Sequence, residues 1–420
     1  MNRNHILAIA AAMLTLHPLA ADETDAKWGD ILDGILMFTP EEGDPAYKKA
    51  ANEKYGTQWG VDLGYAYWGT HRAQGGTPNR NHNYALLHAQ LNQRIIKDDT
   101  NGGTWIRAEL SGTWGLDNRS ASSAYDMVGG TGATFEPHVD IFGPHVAGLP
   151  ELAVMQYLQG KRICFVGGMV NLTNYFDGVS VANDTFSSFT NSGLTNSKVL
   201  PLTSCNSAFG AILMGELGPN DYVIVAAAQT GGDFAQGTNP FRTANKDGYA
   251  IVGEYGHIFA DGDATLRINP FYRRFDSKQF DVEDARNHDS AGIAASIEWN
   301  VSDRVTVFSR AGWAAKQQYS TAAECTVGTH IKLFAGREDD FLGLAAGVAK
   351  GQSPYGEYDE ETGEPLGGNN HRREYMMEAT YNFQVNDYMR IMPHFQYISR
   401  PSYSALGDET VFGVQTVFSF

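Results

Sequence analysis

The clearest pattern in the chain is an alternation of apolar and polar side chains, strongest between Glu374 and the C-terminal Phe420. The apolar rows are Tyr375, Met377, Ala379, Tyr381 and Phe383, then Met389, Ile391, Pro393, Phe395 and Tyr397, and last Phe412, Val414, Phe418 and Phe420. A period of two is that of a β-strand with unlike faces. A soluble protein seldom ends on an apolar strand, because its free edge invites aggregation. A closed barrel pairs the last strand with the first, so this ending predicts a barrel.

Similar strands begin near Gln58, and the connections between them alternate in length. Short connections, rich in Gly, Asn and Asp as tight turns require, lie at 97–103, 159–160, 218–221, 261–263, 300–303, 336–340 and 385–387. Long polar connections lie at 71–82, 115–150, 173–206, 230–244, 275–289, 317–323, 351–371 and 400–408. Short turns at one rim and long loops at the other are typical of outer-membrane barrels. The sequence predicts an all-β fold over 57–420: a transmembrane antiparallel β-barrel of about 16 strands, with short periplasmic turns, long extracellular loops and a water-filled bore.

The alternation also assigns the two faces of each strand, because a charge facing lipid at mid-bilayer costs roughly 2 to 4 kcal/mol. Sugars are neutral and rich in hydroxyls, with apolar ring faces, so a pore that selects them should offer aromatic rings together with charged or amide groups. For any single residue, the alternative is that acids and bases in a wide barrel neutralise and hydrate one another. The inward-facing candidates for substrate contact are Trp105, Arg107, Glu109, Arg267, Phe271, Arg273, Glu298, Arg310, Glu378, Arg390, His394 and Gln396.

The long connection 173–206 is the natural constriction element of such a bore. Its side chains are more aromatic than those of a freely solvated loop should be, since an apolar loop outside the cell would be a liability. Folding into the bore would bury the rings and narrow the channel. The alternative is a loop packed over neighbouring loops at a subunit contact. The candidate residues of this loop are Tyr175, Phe176, Asp177, Asn183, Asp184, Phe186 and Phe189.

Two parts of the chain carry a family resemblance. The end, from Tyr388 to Pro401 and from Val411 to Phe420, resembles the end of the OprB-like carbohydrate-selective porins. The middle, from Gly160 to Gly168, from Tyr175 to Asp177 and from Ala182 to Asn191, is similar to a strand and the following loop of that family. The resemblance implies an outer-membrane channel for carbohydrates in which the loop 173–206 enters the barrel.

The N-terminus predicts export. Arg3, the apolar run Ile6 to Leu16 and the small residues before Asp22 form a signal peptide over 1–21, too short in its core to span a membrane. Residues 22–56 are interpreted as a periplasmic segment with one short helix. The helix begins after an acidic cap at Asp44, with Pro45 at its first position, and ends near Gly56.

Composition narrows the function classes. The net charge of -17 argues against binding of nucleic acid and against a dedicated anion channel. The three cysteines match no metal pattern; Cys164 and Cys325 are interpreted as lone buried thiols, while a single bridge involving Cys205 stays open. The neighbours His288, Asp289 and Ser290 cannot meet as a catalytic triad. We therefore expect no enzyme activity, metal or cofactor.

The resulting hypothesis is a channel in the outer membrane of a diderm bacterium, through which mono- or short oligosaccharides diffuse passively. A general or ion-selective porin shares the architecture and stays an alternative; an outer-membrane hydrolase or an adhesin with a plugged pore is less well supported. Expected partners are sugars, outer-membrane lipid, lipopolysaccharide at the loop rim and, as an open option, further copies of the chain in a homo-oligomer.

Overall fold

The computed structural model describes residues 30–36, 45–72, 80–116, 134–137, 145–230, 248–259, 262–275, 289–315, 321–351, 373–401 and 408–420. The predicted signal peptide at 1–21 and Asp44 lie outside the described residues. The helices in these ranges are α1 (Asp30–Leu36), α2 (Ala46–Tyr55) and the single turn α3 (Ser192–Thr195), with 3₁₀ turns at Leu172–Asn174 and Thr203–Cys205. No helix in these ranges is both long enough and apolar enough to cross a membrane.

Sixteen strands make up the rest of the described fold. They are β1 (Thr57–Arg72), β2 (Arg80–Ile96), β3 (Thr104–Gly115), β4 (His145–Leu158), β5 (Ile163–Val170), β6 (Ala208–Glu216), β7 (Asp221–Gln229), β8 (Gly248–Phe259), β9 (Ala264–Phe275), β10 (Asp289–Ser302), β11 (Val305–Ala315), β12 (Thr321–Ile331), β13 (Phe341–Gly351), β14 (Arg373–Asn386), β15 (Met389–Ser399) and β16 (Glu409–Ser419).

The strands form one closed antiparallel barrel, as the alternation predicts. Each strand pairs with its neighbours in sequence, and β1 closes the ring against β16. At the closure, Val61 and Phe420 exchange backbone hydrogen bonds of 3.0 and 2.9 Å. The C-terminal residue therefore completes the barrel and leaves no free edge.

The alternation of connections is confirmed for most of the chain; an exception is 316–320, whose five residues on the long-loop side are fewer than the nine of the turn 332–340. One rim carries connections of at most nine residues, such as 303–304 and 332–340, whereas the other carries the 37 residues between β5 and β6. We call these the short-turn rim and the long-loop rim.

One strand begins earlier than the sequence pattern suggests: β4 starts at His145, and Pro150 lies within it. The register with β3 shifts at this point, and such a bulge tolerates a proline because it requires no backbone N–H.

The outer surface is apolar and carries aromatic side chains near both rims. Trp299 lies close to the short-turn end of β10 and Trp313 close to the long-loop end of β11, and each side chain is half exposed. Aromatic residues at these heights suit the two membrane interfaces.

Cys325 also lies on this surface and is exposed, so the expectation of a buried thiol is wrong for Cys325. It is right for Cys164, and both Cys164 and Cys205 are buried and unbridged.

The predicted N-terminal helix is present as α2, and it ends where Gly56 adopts a left-handed conformation at φ 63°. Pro45 is the residue before the helix and not its first turn, with ψ 141°. A second helix, α1, is not indicated by the sequence pattern. Its Leu32 and Leu36 side chains are fully buried.

Candidate functional site

The connection between β5 and β6, residues 171–207, lies inside the barrel, and we call it the inner loop. It contacts inward-facing side chains from almost every sector of the wall. Asn174 donates to Glu109 of β3, Asp177 pairs with Arg310 of β11, and Thr190 donates to Glu378 of β14. Only the interior of a closed barrel is common to these strands, so the loop occupies the bore.

Arg310 is the main clamp on the inner loop. Its side chain is 1% exposed, and Nε lies 2.9 Å from Asp177 Oδ2. Its two Nη groups donate to the carbonyl oxygens of Leu194, Thr195 and Asp177 and to the side chain of Asn183. One guanidinium therefore joins three separate stretches of the loop, at Asp177, at Asn183 and at 194–195, using the planar fork that lysine lacks.

Acidic side chains of the wall hold the backbone of the inner loop in place. Asp177 N donates to Glu254 at 2.7 Å, Ser180 N to Glu298 at 2.9 Å, and Thr190 N and Asn191 N to Glu378 at 3.0 Å each. Glu324 accepts from Val199 N in the same way. Glu109 and Glu151 accept instead from the side chains of Asn171 and Asn174, and Glu374 accepts from Phe135 N in the segment 134–137. A buried loop needs partners for its backbone N–H groups, and these carboxylates supply them.

Apolar packing completes the attachment. Phe176 and Phe189 are fully buried, and Val199 packs against the wall at Gly312. A Cβ atom at position 312 would lie 2.4 Å from Val199 Cγ2, and one at position 343 would lie 3.0 Å from Phe189 Cζ. Glycines at these wall positions therefore allow the loop to approach the sheet closely.

Helix α1 covers a second part of the inner wall, over β2 to β6 near the short-turn rim. The N–H groups of Ile31 and Leu32 donate to Glu216 Oε1 at 3.0 and 3.1 Å. At the other end, the carbonyl oxygen of Leu36 accepts hydrogen bonds from Asn92 at 2.9 Å and from Arg107 at 2.7 Å. The helix is thus held at both ends by side chains of the wall.

The predicted substrate-contacting residues all lie on inward-facing strand positions, but most are covered. Glu109, Glu298, Arg310, Glu378 and Gln396 bond the inner loop, and His394 lies 3.0 Å from Glu378. Arg107 pairs with Glu151 at 3.0 Å, while Trp105, Phe271 and Arg273 are also buried. Only Arg267 and Arg390 of this set keep partial exposure. Contact of the set with substrate stays a prediction.

The predicted loop residues separate in the same way. Tyr175, Phe176, Asp177, Phe186 and Phe189 are buried attachments, whereas Asp184 is exposed. Asn183 is partly exposed, and its Oδ1 braces the loop by accepting from Val179 N at 2.8 Å.

The exposed part of the inner loop faces a polar section of wall that the sequence pattern does not single out. The exposed Asp184 interacts electrostatically with His88 of β2 and with Asp62 of β1. Beside it, the buried ring of Phe186 stacks on His88, with ring centroids 5.8 Å apart. The side chains of His88 and Asp62 are 24% and 28% exposed. Arg390 of β15 also interacts with Asp62. Alternation places these residues inside, but only the position of the loop shows which of them stay open to solvent.

A closed barrel of 16 strands, with a polar inner wall and a long loop folded into its bore, defines an outer-membrane channel of the porin class. The profile of the carbohydrate-selective porin family, OprB, matches residues 208–420, half of the chain. The chain belongs to this family.

Comparison with solved structures supports the fold. The structure of Pseudomonas putida OprB at high pH has a TM-score of 0.70 and 16% sequence identity, with 89% of this chain and 96% of that chain covered. The outer-membrane channel DcaP of Acinetobacter baumannii has a TM-score of 0.53 and 10% identity, with 87% and 97% covered. No curated protein sequence matches this chain.

Proposed function

We propose that the protein lets mono- or short oligosaccharides diffuse passively through the outer membrane. Besides membership in the family, one observation carries the proposal: the exposed tip of the inner loop meets the partly exposed Asp62 and His88 of the wall. In this proposal the carboxylates of Asp62 and Asp184, the imidazole of His88 and the guanidinium of Arg390 line the remaining bore. Such groups replace part of a sugar's hydration by hydrogen bonds that are individually weak enough to release it.

The further parts of the proposal concern the cell envelope. A signal peptide over residues 1–21 would direct export, and lipopolysaccharide would contact the long-loop rim. A homo-oligomer is an option that chemical cross-linking of the purified protein in detergent would test.

The direct test is uptake by liposomes that contain the purified protein. We expect glucose and short glucose oligosaccharides to enter faster than neutral polyols of matched size, measured as the rate of osmotic swelling. Equal rates would contradict selectivity for carbohydrates and favour the general porin, which shares the architecture. Absence of both swelling and ion conductance would contradict a channel.

The charge at the loop tip gives a second test. We expect Asp184→Asn to lower the preference of the pore for cations, measured from the reversal potential in a salt gradient. The effect should stay below about fivefold in the permeability ratio, because one charge about 4 Å from an ion is worth about 1 kcal/mol in water. Asp303→Asn is the matched control, since Asp303 is an exposed carboxylate on the short turn between β10 and β11. An unchanged ratio in Asp184→Asn would remove Asp184 from the ion path.

A further inference from the structure

Almost all of the aromatic rings that face the bore are covered. Trp105, Phe271 and Phe308 of the strands are at most 7% exposed, and Tyr175 and Phe189 of the inner loop are at most 3% exposed. A sugar in the bore cannot stack on these rings. Among the inward-facing Trp, Tyr and Phe side chains of the strands whose burial is described, Phe341 is the exception, because it is only half-buried.

Phe341 lies at the short-turn rim as the first residue of β13. It shares a strand face with Gly343, which packs against Phe189 of the inner loop, so its ring is directed to the inside. The imidazole of His330 stacks on it, with centroids 3.9 Å apart and planes at 16°. One face of the phenyl ring is therefore covered, while the residue as a whole keeps partial exposure.

Side chains of the inner loop and of β11 support the stack of His330 on Phe341. The ring of Phe189 lies 5.2 Å from that of His330, and Phe308 lies 5.9 Å from Phe189. His330 Nε2 is 3.1 Å from the hydroxyl oxygen of Ser188, which fixes the imidazole. A ring that is immobilised before its ligand arrives loses little conformational entropy on binding.

Polar atoms without partners lie beside the ring on β14, which pairs with β13. Asn382 is the register partner of Phe341, and its Nδ2 donates to Asp339 O at 2.7 Å. Its Oδ1 and the Oγ1 of Thr380 are buried and have no hydrogen-bond partner. Buried polar atoms left unpaired are costly, by about 1 to 3 kcal/mol each, so a side-chain shift that lets a ligand hydroxyl reach these two atoms would stabilise this corner.

We propose that Phe341, backed by His330, is a stacking platform for a sugar ring at the short-turn mouth of the bore. The apolar face of a pyranose would lie on the phenyl ring, and its hydroxyls would approach Thr380 and Asn382. The platform rests on the proposed function, and it adds a second contact on β12 to β14, separate from the polar groups at β1 and β2. Two weak successive contacts let a solute pass without being trapped.

The test is Phe341→Leu, with Phe383→Leu as its matched control. Phe383 is on β14 near the same rim but on the outer surface, with 42% exposure, so the control removes the same ring from the lipid side. The measurement is the block of ion current by added maltotriose in planar bilayers. We expect Phe341→Leu to weaken the block about fivefold to tenfold, as loss of one aromatic stacking contact implies. Phe341→Tyr keeps an aromatic ring at this position, so this variant should retain the current block of the wild-type protein.

The outcomes separate the platform from the proposed function. Wild-type protein with neither current block nor preferential sugar swelling would overturn both. Wild-type block with Phe341→Leu indistinguishable from Phe383→Leu would overturn the platform alone. Salt conductance reports folding of each variant, and Phe341→Met replaces Phe341→Leu if the leucine variant does not conduct.

Discussion

Arg310→Met should release the inner loop from the wall and open the bore. The substitution removes the cationic partner of the Asp177 carboxylate, 2.9 Å away, and the donors to the carbonyl oxygens of Leu194 and Thr195; only the hydrogen bond from Ser197 N to that carboxylate is kept. Removal of one partner of a buried ion pair costs about 3 to 5 kcal/mol, because the other charge stays buried without compensation. The backbone ladder of the barrel does not depend on Arg310, so we expect the loss to fall on the loop.

The expected result is a severalfold larger single-channel conductance, together with equal swelling rates for sugars and polyols. Arg304→Met is the control, because Arg304 is exposed on the turn before β11. Asp177→Asn combined with Arg310→Met should restore part of the wild-type conductance, since it removes the unpaired charge. Asparagine also tolerates the left-handed backbone of position 177, where φ is 56°. If the single variant Arg310→Met had the same conductance as the wild-type protein, the inner loop would be held in the bore without Arg310.

The barrel itself could be predicted from the sequence because the bilayer imposes a simple rule on it. Lipid on one side and water on the other make every second residue apolar, and closure assigns long and short connections to opposite rims. This rule placed Glu298, Glu378 and Arg310 inside correctly. It could not give their partners, because Ser180 and Thr190 are 118 and 188 residues distant from Glu298 and Glu378 in sequence.

Contacts that are distant in sequence also decide which inward-facing residues stay exposed, and the alternation does not reveal these residues. His88 and Asp62 are ordinary inward polar residues until the inner loop is in place, and Phe341 is the first residue after a turn. The alternation also selects residues that are covered, for the same reason. Trp105 and Phe271 face inward as predicted, yet both are buried. Inward direction follows from local alternation, whereas accessibility depends on contacts that are distant in sequence.

Helix α1 shows how far the wall determines local structure. Its seven residues are fewer than the roughly 12 to 15 that an isolated helix needs in water, and Gly34 lowers its propensity further. Side chains of the wall stabilise the two ends of this helix. Glu216 caps the first turn, and Asn92 and Arg107 bind its last carbonyl oxygen. Such a helix should detach when its apolar contacts are removed, because it cannot persist alone.

Leu32→Ser combined with Leu36→Ser should therefore detach α1 and widen the short-turn mouth of the channel. Both side chains are fully buried, and truncation of a buried leucine costs about 2 to 5 kcal/mol. We expect amide hydrogens of residues 30–36 to exchange much faster, measured by mass spectrometry, and the single-channel conductance to rise. Tyr55→Ser is the control, since Tyr55 ends α2 with its side chain 59% exposed. Fast exchange without a change in conductance would mean that α1 covers the wall but lies outside the narrowest part of the ion path, which would leave the inner loop as the sole determinant of the width of the bore.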